Sequence, residues 1–168
     1  RMARTGKLTH SGFLDLTGTD PAKPFADALV HACGTKGPIF VYSSYESQII
    51  KALASRFPKM ARALMALNDR LVDLLPIVTE HYYHPDQLGS WSIKTVLPTV
   101  APELRYDALA GVQDGTMAMT AYEEAIDSET SAKRKEEIAQ QLTAYCALDT
   151  LAMVRVWQHL AGRNAVAV

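Results

Sequence analysis

Near the C-terminal end of the chain, Ile138, Leu142, Tyr145, Ala152 and Val156 fall at the spacing of a single helix face, because residues three or four apart in a helix stack over one another. Asp149 sits on the same stripe, four residues after Tyr145 and three before Ala152. Nothing else in the sequence constrains the fold as much. A helix over about 132–161, closed by Gly162, must turn toward a core an apolar face that carries one carboxylate. An unpartnered acid is costly to bury. The fold must therefore bring Asp149 a hydrogen-bond donor, a cation or a metal.

Upstream, strand and helix signals alternate. Lys7 to Leu16 reads as a strand that ends in the turn Thr17-Gly-Thr-Asp-Pro21. Pro24 to Cys33 is a short helix with proline in its first turn and Gly34 just past its end. Ile39-Phe-Val-Tyr42 is a short apolar run bounded by turn signals and is the best strand in the chain. Helix follows over about Ser44–Phe57, breaks at Pro58 and resumes over Lys59–Asn68. Arg70 to Leu75 is either a short buried strand or a helix start, and periodicity does not separate the two. A loop covers 81–90, and a short helix from Ser90 or Ser92 runs through Val96 and is ended by Pro98. A turn at 111–115, a helix at 116–126 and an acidic link at 127–131 lead to the final helix. This order predicts a helix-dominated α/β fold, with residues 1–168 forming one domain.

At 168 residues the chain is long enough to bury a core of its own. Its 48% hydrophobic and 21% charged residues are those of a globular rather than a disordered protein. A formal net charge of −1 leaves no global basic field for coating nucleic acid, although a local basic groove stays compatible with it. Cys33 and Cys146 match neither a zinc spacing nor a disulfide framework, which predicts buried free thiols in a reducing cytoplasm. No apolar run is long enough to span a bilayer, so no membrane partner is expected.

Two acidic motifs carry candidate chemistry. Tyr145-x3-Asp149 places a phenol one turn before a carboxylate on one helix face. It is either a core tyrosine with an acid neutralised by arginine, or a metal ligand with a tyrosine that orients or deprotonates an attacking water. Hard Mg²⁺ or Mn²⁺ takes oxygen ligands, and metal-assisted phosphodiester hydrolysis gathers them from several elements. Glu46, in Tyr42-Ser-Ser-Tyr-Glu46, follows a strand directly and falls in the first turn of a helix, where α/β sheets build sites. The same residues spell a capping box, Ser43-x-x-Glu46. Taken singly, each motif favours its structural alternative.

Other candidates are weaker. His81, His84 and Asp86 lack a further ligand at helical spacing, so a loop is preferred to a zinc site. Asp73 in its apolar run is expected to be a hydrogen-bonded structural acid. Lys94, in Ser90-Trp-Ser-Ile-Lys94, either reaches a phosphate or is solvated, and Lys133-Arg-Lys135 is a solvated helix start.

The order of these pieces resembles the DEDD exonuclease superfamily, whose tyrosine subclass carries Tyr-x3-Asp as its third motif on a ribonuclease H-like fold. Arg70-Leu-Val-Asp-Leu-Leu-Pro, His81-Tyr-Tyr-His-Pro, Gly89-Ser-Trp-Ser-Ile-Lys-Thr-Val-Leu-Pro98 and Tyr145-Cys-Ala-Leu-Asp-Thr-Leu-Ala-Met153 extend the likeness over nearly the whole chain. These blocks resemble the Domain of Unknown Function 2779 family, a mainly bacterial family of predicted nucleases in which this domain usually follows a RecB-like part. The resemblance implies a metal-dependent 3′–5′ exonuclease-type domain that acts on nucleic acid. It implies Glu46 and Asp149 as ligands of Mg²⁺ or Mn²⁺ and Tyr145 as the residue that positions water, while Lys94 stays a candidate substrate contact on its own residues.

The chain departs from the superfamily pattern in two places. Glu46 stands where the superfamily has Asp, and Ser43 or Tyr42 where it has Asn. The first motif, Asp-x-Glu, has no counterpart, since Asp15-Leu-Thr17 lacks the glutamate. Too few residues separate Asp15 from Pro24 for the two further strands the fold requires there. Leu8 to Leu16 then aligns with the third strand. The chain is expected to be an N-terminally truncated fragment that lacks the first two strands and is inactive alone. Its exposed sheet edge would favour a homodimer. The alternative is a non-catalytic binding or interaction module, with Glu46 a cap and Asp149 a neutralised core acid.

Overall fold

Two short strands, β1 (Ile39–Val41) and β2 (Leu71–Asp73), pair in parallel with Ile39 opposite Leu71 and Val41 opposite Asp73. They belong to a computed structural model that describes residues 8–163. Parallel neighbours cannot be joined by a tight turn and need a crossover. Here the crossover carries α2 (Tyr45–Arg56) and α3 (Ala61–Asn68), separated by a 3-10 turn at Pro58–Met60. Proline disfavours helical geometry in the residue before it, and Phe57 accordingly ends α2 at φ −122° and ψ 78°. On one side of the sheet, α1 (Ala22–Cys33) packs with α2 and α3 around Ala26, Ile50, Leu53, Ala54 and Leu64.

On leaving β2 the chain enters α4 (Leu74–His81) with no loop between them. Asp73 closes the strand and also caps the helix, its Oδ1 accepting the Leu75 N–H at 2.9 Å. The segment Arg70–Leu75 is therefore a strand that turns at once into a helix. Pro76 fits because the first turn has no intrahelical use for its missing N–H. Then come α5 (Ile93–Val100), α6 (Gly115–Ile126) and α7 (Ala132–Leu160).

The 29 residues of α7 span about 43 Å at the usual rise of a helix. Its apolar stripe meets a different neighbour along each stretch. Ile138 and Leu142 pack on Ala121 and Ala125 of α6, and Leu148 and Ala152 on Leu97 of α5 and Tyr106. Val156 packs on Leu74 and Val78 of α4 and on Val96, and Phe40 of β1 joins that cluster. Fully burying one such aliphatic side chain is worth roughly 1.5–3 kcal/mol, and Ile138 and Val156 are at most 1% exposed. The helix is thus the spine against which the sheet and the later helices are assembled. No helix among the described residues is long and apolar enough to cross a membrane.

Three sequence expectations need correction. The predicted strand over 7–16 is not one: Lys7 lies outside the described residues, Leu8 makes an isolated bridge, and 9–16 have no regular structure. That segment is held by side chains, with the Phe13 ring 5.7 Å from that of Phe25 and the Asp15 carboxylate accepting the Thr17 N–H. Pro98 lies inside α5, which continues to Val100. The carbonyl of Lys94 loses a donor there, a local cost set against the complete burial of Val96 and Leu97. Cys146 is exposed and Cys33 only partly buried, because neither lies on the packed stripe of its helix.

Arg70, directly before β2, anchors α1 to the sheet. Its guanidinium donates to the carbonyls of Gly37 at 2.7 Å, Gly34 at 2.6 Å, Lys36 at 2.8 Å and Cys33 at 3.1 Å. A helix leaves its last carbonyls unpaired at the negative end of its dipole, and this one side chain takes the Cys33 carbonyl, that of the C-cap Gly34 and two of the loop that follows. Charge-assisted hydrogen bonds are worth about 1.5–3 kcal/mol each when lost. Arg70→Ala is therefore expected to lower unfolding free energy by about 2–3 kcal/mol in urea denaturation. Arg70→Lys, which lacks the planar fork, should recover only part of the loss.

Candidate functional site

Both parallel strands end on the same edge of the sheet, and each delivers an acid there. After Val41 the chain passes through Tyr42 and through Ser43, whose φ of +142° is rare for a residue with a side chain. That twist moves the helix start on by one residue. The N-cap of α2 is Ser44, which makes no side-chain cap, while Ser43 Oγ accepts the Tyr45 N–H at 3.2 Å. The capping box expected for Ser43 and Glu46 is not formed. Glu46 instead turns inward, and its Oε2 is buried with no hydrogen-bond partner among the described residues.

Asp73 ends β2 beside it, and Asp149 approaches from α7. Burial pushes the Glu46 carboxyl above its ordinary range, and a hydrogen bond from its own backbone N–H pulls the other way. The negative charges of Asp73 and Asp149 add to the rise, so both of these acids lie within electrostatic reach of Glu46.

Asp149 gains its compensation from phenols. Tyr106 donates its hydroxyl to Asp149 Oδ1 at 2.7 Å. The Tyr145 ring stands 6.1 Å from that of Tyr106. Burial, with the charge and hydrogen bonding of Asp149 beside it, pushes the Tyr145 phenol up to about 12. Tyr106 is raised further for the same reasons. Both hydroxyls are protonated at neutral pH, so Tyr145 can donate to a water and orient it. Lys94 is half-buried rather than solvated: its Nζ lies 5.5 Å and 5.8 Å from the two ring centres and donates to the Gln113 carbonyl at 3.1 Å. Tyr106 is the site residue that sequence reasoning missed.

A hydrogen-bonded chain fixes the 82–92 connection beside the strand end. Tyr42 donates to the Trp91 carbonyl at 2.8 Å, the Trp91 indole to the Tyr82 carbonyl at 3.1 Å, and the Tyr82 hydroxyl to Thr99 Oγ1 at 2.9 Å. Burial, with Asp73 nearby, pushes the Tyr42 phenol up to about 12, which keeps it a donor. The two histidines do not form a metal site: His84 Nδ1 accepts the Asp86 N–H, and the buried Gln87 completes a reciprocal cap. Asp15 does not join the carboxylates. It lines an apolar cleft of about 280 Å³ with Phe13, Phe25, Leu53 and Tyr122.

In kind, these donors suit Mg²⁺ or Mn²⁺, since all are carboxylate oxygens and Glu46 Oε2 is orphaned. In number they fall short. Among the described residues no three of His, Cys, Asp and Glu converge closely enough to hold a metal ion.

The fold and this edge define a helix-dominated α/β protein with acids at the carboxyl ends of adjacent parallel strands. The sequence matches the domain of unknown function (DUF2779) family over residues 1–92, and the chain belongs to that family. The matched part includes Glu46, Asp73 and Trp91, while Lys94, Tyr106, Tyr145 and Asp149 come after it in the chain. Neither the curated proteins nor the solved structures contain a match.

Glu46 carries a pH signature. Its folded pKa lies above the unfolded value, so the folded state holds the proton more tightly. Stability from this group is present in acid and is lost as pH rises from the ordinary glutamate value of 4.5 through the raised one. Glu46→Gln should therefore stabilise the protein at pH 7, by roughly 0.5–1 kcal/mol after screening at this half-exposed position. The gain should vanish below about pH 4, as read by thermal unfolding across pH.

Proposed function

We propose that this is a ribonuclease H-like domain of the tyrosine-type DEDD class, a metal-dependent 3′–5′ exonuclease-type hydrolase of nucleic acid phosphodiesters. The observation that carries the proposal is Glu46: a carboxylate at a strand end, with one oxygen buried and unpartnered, in the field of two other acids. A protein gains nothing in stability from that arrangement, and strained electrostatics of this kind cluster at functional sites.

Glu46 and Asp149 are the residues that would hold Mg²⁺ or Mn²⁺. When bound, such ions lower the pKa of a coordinated water and neutralise phosphate charge. The chain's own residues set the geometry around that chemistry. The protonated Tyr145 hydroxyl orients the attacking water by donating to it or to the scissile phosphate. Lys94, the ammonium closest to the phenols, meets the phosphate's negative charge. Among the described residues each strand of the two-stranded sheet pairs along one edge only, which supports self-association through the other.

One observation favours a second possibility, a non-catalytic binding module: Asp149 Oδ1 already holds a protein donor. A hydrolysis assay on single-stranded DNA and RNA with Mg²⁺ or Mn²⁺ separates the two. The 168-residue chain is expected to show no turnover. The full-length gene product that carries it should degrade strands from the 3′ end, with Asp149→Asn or Glu46→Gln reducing the rate about 100-fold or more. Turnover by the 168-residue chain that Asp149→Asn abolishes would overturn the incomplete-site claim. A full-length product with no metal-dependent hydrolysis would overturn the nuclease reading in favour of the binding module.

A further inference from the structure

Where the segment before α1 crosses the helices, it leaves a space that no side chain fills. The segment is pinned on both sides of that space. The Phe13 ring lies 5.7 Å from that of Phe25 on α1, and Leu16 packs with the cluster around Ala121, Ala125 and Ile138. Further on, Gly18 at φ +79° passes the backbone of α6, where a Cβ would meet the Ile126 carbonyl at 3.4 Å. Asp20 closes the turn into α1: its Oδ1 accepts the Ala22 N–H at 3.0 Å, and its Oδ2 takes the Arg56 guanidinium. Residues 13–15 are thereby held as a wall opposite α1, α2 and α6, although they have no regular structure.

The space is the apolar cleft of about 280 Å³, near the lower end of the roughly 300–1,000 Å³ usual for small-molecule sites. Its walls are Phe13, Leu14, Phe25, Leu53 and Tyr122, and Ala22, the first residue of α1, adds only a methyl. Phe13 and Leu14 remain 39% and 40% exposed, so a guest would take from water apolar surface that folding leaves wet. Two carboxylates line the same cleft, and their situations differ. Asp20 is neutralised by Arg56. Asp15 meets no cation among the described residues; its Oδ1 accepts the Thr17 N–H at 2.9 Å, and Thr17 holds its carboxyl below the usual range. An ionised carboxylate has about four lone-pair sites, so one backbone donor leaves room for another. Among the described residues no lysine, arginine or histidine lines the cleft. Apolar walls beside one uncompensated acid favour a guest with an apolar body and a positive end. An anion would be repelled, and a neutral guest would forgo the charge-assisted hydrogen bond.

We propose that this cleft is a binding site for a small arylalkyl ammonium, its ring lying among Phe13, Phe25, Leu53 and Tyr122 and its ammonium donating to Asp15. The site is separate from the strand-end acids and does not depend on the function proposed for them. Its walls are fixed before the guest arrives, because Phe13 and Leu16 are already docked, so little ordering cost falls on binding. The aromatic faces add attraction for the positive end.

The test titrates phenethylammonium into the 168-residue chain at pH 7, followed by calorimetry and by amide chemical shifts. Phenethyl alcohol serves as the neutral counterpart and phenylacetate as the anion. The ammonium is expected to bind with a Kd of roughly 0.1–1 mM and to shift the amides of residues 13–22. The alcohol should bind about tenfold more weakly, the equivalent of one charge-assisted hydrogen bond, and phenylacetate not at all. Asp15→Asn should bring the ammonium down to the affinity of the alcohol. Ala22→Phe, which fills the cleft, should abolish binding of both, and Phe13→Ala, which removes a wall, serves if that variant fails to fold. Equal affinity for ammonium and alcohol, or an Asp15→Asn variant that binds the ammonium as the parent does, would overturn the assignment of a cationic guest. No shifts at millimolar ammonium, or shifts that both Ala22→Phe and Phe13→Ala leave intact, would overturn the site itself.

Discussion

A carboxylate on the core-facing stripe of α7 is the constraint to which the later half of the molecule answers. Left alone, Asp149 would cost several times what any one neighbouring apolar contact returns. The cost is offset by a hydroxyl from Tyr106, which lies 43 positions earlier in the chain. Bringing that hydroxyl to the helix requires Tyr106 to be buried among Leu97, Leu148 and Ala152. The polar contact and the apolar cluster therefore stand or fall together. The same docking brings Val112 onto Ile138 and Leu142 and closes the α6–α7 pair. One hydrogen bond thus sits at the junction between two hydrophobic clusters.

The sheet edge shows the opposite situation, a charge left without compensation. Asp73 is provided for, because the Leu75 N–H in the first turn of α4 meets it. Glu46 is not: one oxygen is buried without a partner while two other acids raise the cost of its charge. Strands that end side by side concentrate such groups, since each delivers its following helix start to the same edge. The sheet edge therefore holds one acid that is satisfied and one that is frustrated, which is the contrast on which the proposed site rests. The phenols around Asp149 stay protonated at neutral pH and so stand as donors beside it.

Much of this was legible in the residues, for identifiable reasons. The stripe from Ile138 to Val156 has a long period to average over, so the spine helix and its buried positions are set by spacing alone. Ile39–Val41 and the break at Pro58 are local events with local causes. The strand expected over 7–16 failed because extended conformation is a property of a segment, while pairing requires a partner that spacing does not reveal. Ser43-x-x-Glu46 was ambiguous because the same two side chains serve a cap or a site. The backbone twist at Ser43, with φ +142°, rules out that cap. Tyr106 was invisible for a different reason: it lies in an aperiodic connection, and only the tertiary path over α7 gives it a role. The strand-end acid and the Tyr-x3-Asp pair were legible as candidates, whereas their surroundings were not.

Tyr106 and Asp149 stabilise one another across the α5–α6 connection and the spine, and on this pairing the other features of the site depend. A double-mutant cycle measures it directly, with Tyr106→Phe, Asp149→Ala and the double variant each unfolded in urea at pH 7. The expected coupling free energy is about 1.5–3 kcal/mol, the range for a hydrogen bond to a charged group. Additive losses, with coupling below about 0.3–0.5 kcal/mol, would show that the two residues are merely neighbours and would contradict the pairing.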